Sequence, residues 1–257
     1  MQRNAVRRAT TIALALAVSM LSGAAAMAAE PAPGKLTDTW VFWVKAGHEA
    51  AFQAGIKAHV AWRKSAGEPF TWNAYQPIVG DDLTHYVFRS QGHQWKDFDV
   101  NNAWEMKTNA NQKYDEQVLP HTERVEHYIS ELDTEHSSWT DSPDYTYFGV
   151  TFAQLKPGTY DQMNEALTTI HTAAVAQKWP RSYSIAWQIG GRGGMMIASP
   201  FKSFADMADP ETPFLKVLAT ALGSEGAAKS VFKTFGSCLE SERYTVYATR
   251  PDLSTPK

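Results

Sequence analysis

Val44-Lys45-Ala46-Gly47-His48-Glu49-Ala50-Ala51-Phe52 and, 111 positions further on, Leu155-Lys156-Pro157-Gly158-Thr159-Tyr160-Asp161-Gln162-Met163 carry one pattern. Each is an apolar strand end, a lysine, a spacer, a glycine and then the start of an amphipathic run. The same shift carries Phe52 to Met163, Ile56 to Leu167, His59 to Ile170, Trp72 to Tyr183, Gly80 to Gly191 and Tyr86 to Ile197. Agreement at one constant offset across apolar and turn positions marks an internal repeat, which bears on the whole architecture before any single element does.

Working outward, the runs Thr39 to Val44 and Tyr147 to Leu155 are aromatic and β-branched and predict strands. Phe52, Ile56, His59/Val60 and Arg63 in the first copy, and Met163, Leu167, Ile170 and Ala174 in the second, fall on one helical stripe. Phe70 to Gln76 and Thr84 to Arg89 flank a turn-rich link and predict a hairpin, as do Ser182 to Ile189 and Met195 to Ser199 around Gly190-Gly191-Arg192-Gly193-Gly194. Second helical regions are expected around Trp95 to Val118 and Phe201 to Phe235, the latter split into two helices at Asp209-Pro210-Glu211-Thr212-Pro213. Val125 to Ser130 and Arg243 to Ala248 close the units. The predicted class is α+β: two ferredoxin-like βαββαβ units, 36–132 and 145–250, joined by a polar linker at 133–144 and forming a pseudo-dimeric α/β barrel.

With those two Lys-x-Gly junctions, each leading into a helix, the chain resembles the dimeric α/β-barrel proteins, including the NIPSNAP-like and antibiotic-biosynthesis-monooxygenase-like families. The resemblance is one of pattern and layout and brings no catalytic motif. It implies sheet-on-sheet packing, normally between two protomers, so a homodimer is a further expectation. It also implies a range of activities, from haem-dependent and cofactor-free oxidoreductases to proteins without assigned activity.

The N-terminal residues supply Arg3, Arg7 and Arg8, then an apolar run from Thr11 to about Leu21, then Ala26-Met27-Ala28. That order predicts a signal peptide over 1–28 and a periplasmic or secreted protein. The apolar run is about half of the roughly 20 residues a membrane-crossing helix needs, so no membrane association is expected after cleavage. The leader holds three of the 24 basic residues and none of the 27 acidic ones, leaving a net charge near −6. A protein so charged, with no basic stripe, is not expected to bind nucleic acid. Cys238 is the only cysteine, which excludes an internal disulfide and predicts a small buried hydrophobe.

Candidate chemistry gathers in the first copy: seven of the eight histidines precede residue 140, and six of the nine tryptophans lie in the first unit. If the hairpin turns about Gly80-Asp81, residues whose numbers sum to 161 face each other. Trp72 then opposes Arg89, Gln76 opposes His85, and Trp72, Ala74, Gln76, His85, Val87 and Arg89 share a face suited to a small anionic or aromatic ligand. The matching face of the second copy, Tyr183, Ile185, Trp187, Met196, Ala198 and Pro200, is apolar. His59, at the edge of the helix stripe, could serve as a base or an axial haem ligand. No cofactor is otherwise indicated. His121-Thr122-Glu123-Arg124-Val125-Glu126-His127 does not bring three ligands together at a familiar metal spacing, whether helical or extended. The glycine cluster at 190–194 lacks both P-loop and dinucleotide spacing. A small-molecule-binding protein is the leading expectation. An oxidoreductase of the monooxygenase-like or haem-using branches and a structural or interaction module are the alternatives.

Overall fold

The lysines and glycines of the repeated junction do the same work twice. Gly47 and Gly158 both adopt φ of 80°, the left-handed conformation that turns the chain from strand to helix and that side chains with a Cβ disfavour. Lys45 donates its backbone N–H to the His121 carbonyl and its Nζ to the Pro120 carbonyl at 2.9 Å. Lys156 donates likewise to Cys238 and, at 2.8 Å, to Ser237. Each lysine thus ties the end of a first strand to the carbonyls that precede the last strand of the same half, where an ammonium group favours the negative end of the preceding helical turn.

A computed structural model of the chain describes residues 34–191 and 193–256; the signal peptide expected over 1–28 lies outside the described residues. The elements run β1 (Leu36–Val44), α1 (Glu49–Ser65), β2 (Asn73–Val79), β3 (His85–His93), α2 (Trp95–Thr108), α3 (Ala110–Gln117), β4 (Thr122–Ser138), β5 (Tyr147–Leu155), α4 (Tyr160–Ala176), β6 (Tyr183–Ile189), β7 (Met195–Phe201), α5 (Phe214–Leu222), α6 (Glu225–Ser237) and β8 (Leu239–Thr249). β5 and α4 repeat the bounds of β1 and α1 at a spacing of 111, and β6 and β7 begin 110 after β2 and β3. The eight strands close into a barrel in the order β1-β3-β2-β8-β5-β7-β6-β4. Every pair is antiparallel, and closure leaves no free edge.

Alternation along the strands divides side chains between a helix-covered outer face and a lumen. On the outer face Phe52 and Ile56 of α1 pack against Phe42, Trp72, Tyr86 and Phe88. Met163, Leu167, Ile185, Met195 and Cys238 form the corresponding layer of the second half, so the lone thiol is buried as expected. Val41, Val87 and Tyr247 pack inside the barrel with Trp43, Tyr75, Tyr128, Val150 and Phe152.

Several sequence expectations need correction. The linker expected over 133–144 is shorter, because β4 continues to Ser138 and pairs with β6 as far as Ser138↔Tyr183, across a large bulge after Asp133. Asp133 builds that bulge: its Oδ1 accepts the Glu135 and His136 amides at 3.1 and 3.0 Å. The helical region after β3 is broken at Asn109, whose φ of 59° is tolerated because asparagine enters the left-handed region more readily than most residues. After β7 only a single turn at Ala205–Met207 precedes the Asp209–Pro213 break, and the break between helices falls instead at Gly223, in the left-handed region, with Ser224 capping α6 through the Ala227 amide.

The most consequential correction is the β2–β3 register. Asn73 pairs with Arg89, Ala74 with Phe88 and Tyr75 with Val87, so partners sum to 162 and not 161. Asp82 causes the slip: its Oδ1 accepts the Thr84 amide at 3.0 Å and the Thr84 hydroxyl at 2.7 Å, a side-chain turn that adds a residue to the loop. A shift of one residue moves a strand's side chains to the opposite face. The single face proposed from the sequence therefore does not exist. Trp72, Ala74 and Gln76 point out under the helices, and His85, Val87 and Arg89 point into the lumen.

Candidate functional site

A cavity of about 620 Å³ occupies one end of the lumen, between the two halves. Trp43, His85, Arg124 and Tyr128 line it from the first half, and Phe152, Arg243 and Tyr247 from the second. Adjacent strands set these neighbours in register: Trp43 pairs with His85 on one side and Arg124 on the other, and Phe152 pairs with Arg243.

Polar contacts fix the mouth. Trp43 Nε1 donates to Asp82 Oδ2 at 2.6 Å, and the Arg124 guanidinium lies 3.6 Å from the centre of the Trp43 ring, a cation–π contact. His85 is buried, with Nε2 3.2 Å from the Tyr247 hydroxyl and Nδ1 3.4 Å from Asp82 Oδ2. The latter approach is close enough for charge attraction but off the line a hydrogen bond needs, so Nδ1 has no hydrogen-bond partner among the described residues. Arg243 stacks over Phe152 at 5.4 Å.

The electrostatics separate the three members of the Asp82–His85–Tyr247 chain. Burial pushes the Asp82 carboxyl up, but the hydrogen bonds from Trp43 and Thr84 outweigh it and hold the group well below the usual carboxylate range. Burial lowers the His85 imidazole, Asp82 opposes that, and Arg243 and Arg124 add to it, for a net downward shift. Burial, with Tyr128 nearby, raises the Tyr247 phenol above its ordinary value. At neutral pH the chain therefore holds a carboxylate, a neutral imidazole and an intact phenol. Such an imidazole can accept at Nε2 a proton passed on through the Tyr247 hydroxyl that already meets it.

The other sequence candidates lie elsewhere. Trp72 Nε1 donates to Glu68 Oε1 at 2.7 Å, and its ring faces Arg63 at 6.0 Å, not Arg89. Gln76 Oε1 accepts from Arg250 Nη1 at 2.6 Å. His59 is buried in the helix layer between Trp62 and Tyr114, with Nδ1 3.3 Å from Gln117 Oε1. It does not border the cavity, so it does not fit the role of an axial haem ligand there. Of the two histidines along the cavity wall, His85 engages Tyr247 through Nε2 and leaves Nδ1 beside Asp82 without a hydrogen bond, and His127 directs Nε2 to Asp38 Oδ1 at 2.6 Å while stacking on Trp40. A haem iron bound there through Nε2 would have to displace the Tyr247 hydroxyl from His85 or Asp38 from His127. Of the sequence candidates, only His85 lines the cavity, and Arg89 lies deeper on the same strand face. Trp43, Arg124, Tyr128, Arg243 and Tyr247 were not singled out from the sequence. Alternation along Arg243, Thr245 and Tyr247 carried a signal, but nothing local showed that this face looks inward.

No family model matches the sequence, and neither does any curated protein. Solved structures do match. A protein from Lactobacillus acidophilus NCFM provisionally assigned as a monooxygenase superposes with TM-score 0.53 at 8% identity, over 85% of this chain and 94% of that one. One from Fusobacterium nucleatum with the same provisional assignment gives 0.54 at 10% identity, over 86% and 93%. An anthrone oxidase-like protein gives 0.51 at 13% identity, over 88% and 98%. At these identities the likeness defines fold alone: an eight-stranded antiparallel barrel with helices packed outside it.

Proposed function

We propose that the protein is an exported, small-molecule-binding member of the dimeric α/β-barrel class whose ligand occupies the lumen cavity. The basic and apolar order of residues 1–28 supports export. The 111-residue spacing supports a tandem duplication, in which two halves of one chain stand in for two protomers. The observation that carries the binding reading is the cavity itself: aromatic walls from Trp43, Tyr128, Phe152 and Tyr247, with Arg124 and Arg243 beside Glu126 and Glu242 in the lining, suit a planar aromatic molecule with polar ends. Titration of the purified protein with 4-hydroxybenzoate, followed by tryptophan fluorescence, tests it. Binding is expected to change the emission and to lose most of that signal in Trp43→Phe. A signal unchanged in that variant would place binding outside the cavity.

The Asp82–His85–Tyr247 chain favours one second reading, an oxidoreductase that takes a phenolic proton at His85 and uses dioxygen as oxidant. The provisional monooxygenase assignments of two fold neighbours add to it. An oxygen electrode with a quinol decides the point: uptake that falls at least tenfold in His85→Gln supports it, and no uptake by the wild-type protein removes it.

A further inference from the structure

Below the cavity the lumen holds a second group of polar side chains that the proposed chain of contacts does not use. Thr39 on β1 pairs with Arg89 on β3 and with Tyr128 on β4, so the three form one level across the inner face. Ser130 lies on the same face of β4, two residues beyond Tyr128, opposite Thr37. The corresponding level of the second half is Val150, Ala198 and Thr245, which is far less polar.

Three features of this level point to a ligand. The Thr39 and Ser130 hydroxyls are buried, at 0% and 1% exposure, and neither oxygen reaches hydrogen-bond geometry among the described residues, although the Thr39 hydroxyl comes close enough to the Tyr128 phenol to lower it. A buried, unsatisfied hydroxyl costs free energy and calls for a partner. The half-buried Arg89 side chain makes neither an ion pair nor a hydrogen bond among the described residues. Its charge is nonetheless felt inside the barrel. Burial raises the phenols of Tyr75 and Tyr128, and Arg89 pulls both back. A guanidinium that faces two phenols and two buried hydroxyls, and that forms no ion pair among the described residues although Glu126 acts on the same Tyr128 phenol, is arranged to receive an anion.

Resting on the lumen-binding reading above, we propose that Arg89, Thr39 and Ser130 form an anion subsite at the floor of the cavity, and that the ligand is an aromatic carboxylate. Its acidic group meets Arg89 and its ring lies against Tyr128. The level of Arg89 is four residues along β3 from His85, roughly 13 Å at strand spacing. The Arg89 side chain covers part of that backbone span, so a ligand held by it directs its far end, and a hydroxyl there, toward the side of His85 and Tyr247.

A pair of isosteric probes isolates the charge: 4-hydroxybenzoate and the neutral 4-hydroxybenzamide, titrated by calorimetry into wild type, Arg89→Gln and Arg89→Lys. The acid is expected to bind wild type at least tenfold more tightly than the amide. Arg89→Gln should abolish that preference and leave the amide within about twofold of its wild-type affinity, and Arg89→Lys should restore part of it. If the preference survives in Arg89→Gln, the mouth arginines read the charge and the subsite is wrong, while the lumen still binds. Equal binding of acid and amide by wild type has the same consequence without any variant, and would mean that the two hydroxyls are simply hydrated. If neither probe binds, the subsite and the lumen reading both fall.

Discussion

Acidification from pH 7 to pH 4 is expected to remove about 3 kcal/mol of stability through His59 alone, at about 1.4 kcal/mol per pKa unit. Burial first and the neighbouring Arg63 second lower this imidazole, the Gln117 hydrogen bond opposes both, and the net value is about 4. The unfolded chain takes up its proton near pH 6.5. Above that pH the ring is neutral in both states and the full stability is present. Between about 6.5 and about 4 the unfolded state binds a proton that the folded state refuses, so stability falls as the pH falls. Below about 4 both states are protonated and the loss stops growing. His85 and His93, also shifted down chiefly by burial, add to the loss in the same direction. The carboxyls of Asp82 and Asp252, held below their ordinary range, extend it to lower pH. Urea denaturation at pH 7, 5.5 and 4 measures the slope. His59→Leu should flatten it by most of the His59 share; parallel curves for variant and wild type would show that His59 is not the acid-sensitive group.

His59 also shows how much of the molecule could be read without coordinates. Its place beside the helix stripe followed from period, and so did the strand–helix junctions, because the Lys-x-Gly pairs make local contacts that recur wherever the pattern recurs. β1, α1, β5 and α4 were legible for that reason. Faces were harder. Whether Trp72 or His85 looks inward depends on one extra residue in a loop, and that residue is set by the Asp82 side chain bonding to Thr84. Tyr247 met His85 only because β8 closes on β2, a pairing between residues 162 apart. Composition did suggest that the first half would hold the polar groups, and at the level of Thr39, Arg89 and Tyr128 it does. At the mouth, however, Arg243 and Tyr247 come from the second half, so the cavity is a joint product.

Replacing Glu68 with alanine is expected to cost roughly 3 kcal/mol or more, as the removal of one member of a buried ion pair does. Arg63 Nη2 meets Glu68 Oε1 at 2.6 Å and Glu105 Oε1 at 2.8 Å, and the Glu68 side chain is only 2% exposed. Glu68 also accepts the indole N–H of Trp72, which the substitution would leave without its acceptor. Arg63 in turn lies 5.0 Å from the Trp104 ring, so the two carboxylates and two indoles surround one guanidinium. Glu105→Ala should cost less, since that side chain is 28% exposed and Arg63 would keep Glu68. Glu68→Gln should fall between, retaining an acceptor for Trp72 but losing the charge. Chemical denaturation orders the three variants. The same set separates architecture from binding: Trp72 belongs to the outer layer, so the folded fraction of Glu68→Ala should bind 4-hydroxybenzoate with wild-type affinity, and a weakened affinity there would mean that the outer face communicates with the lumen after all.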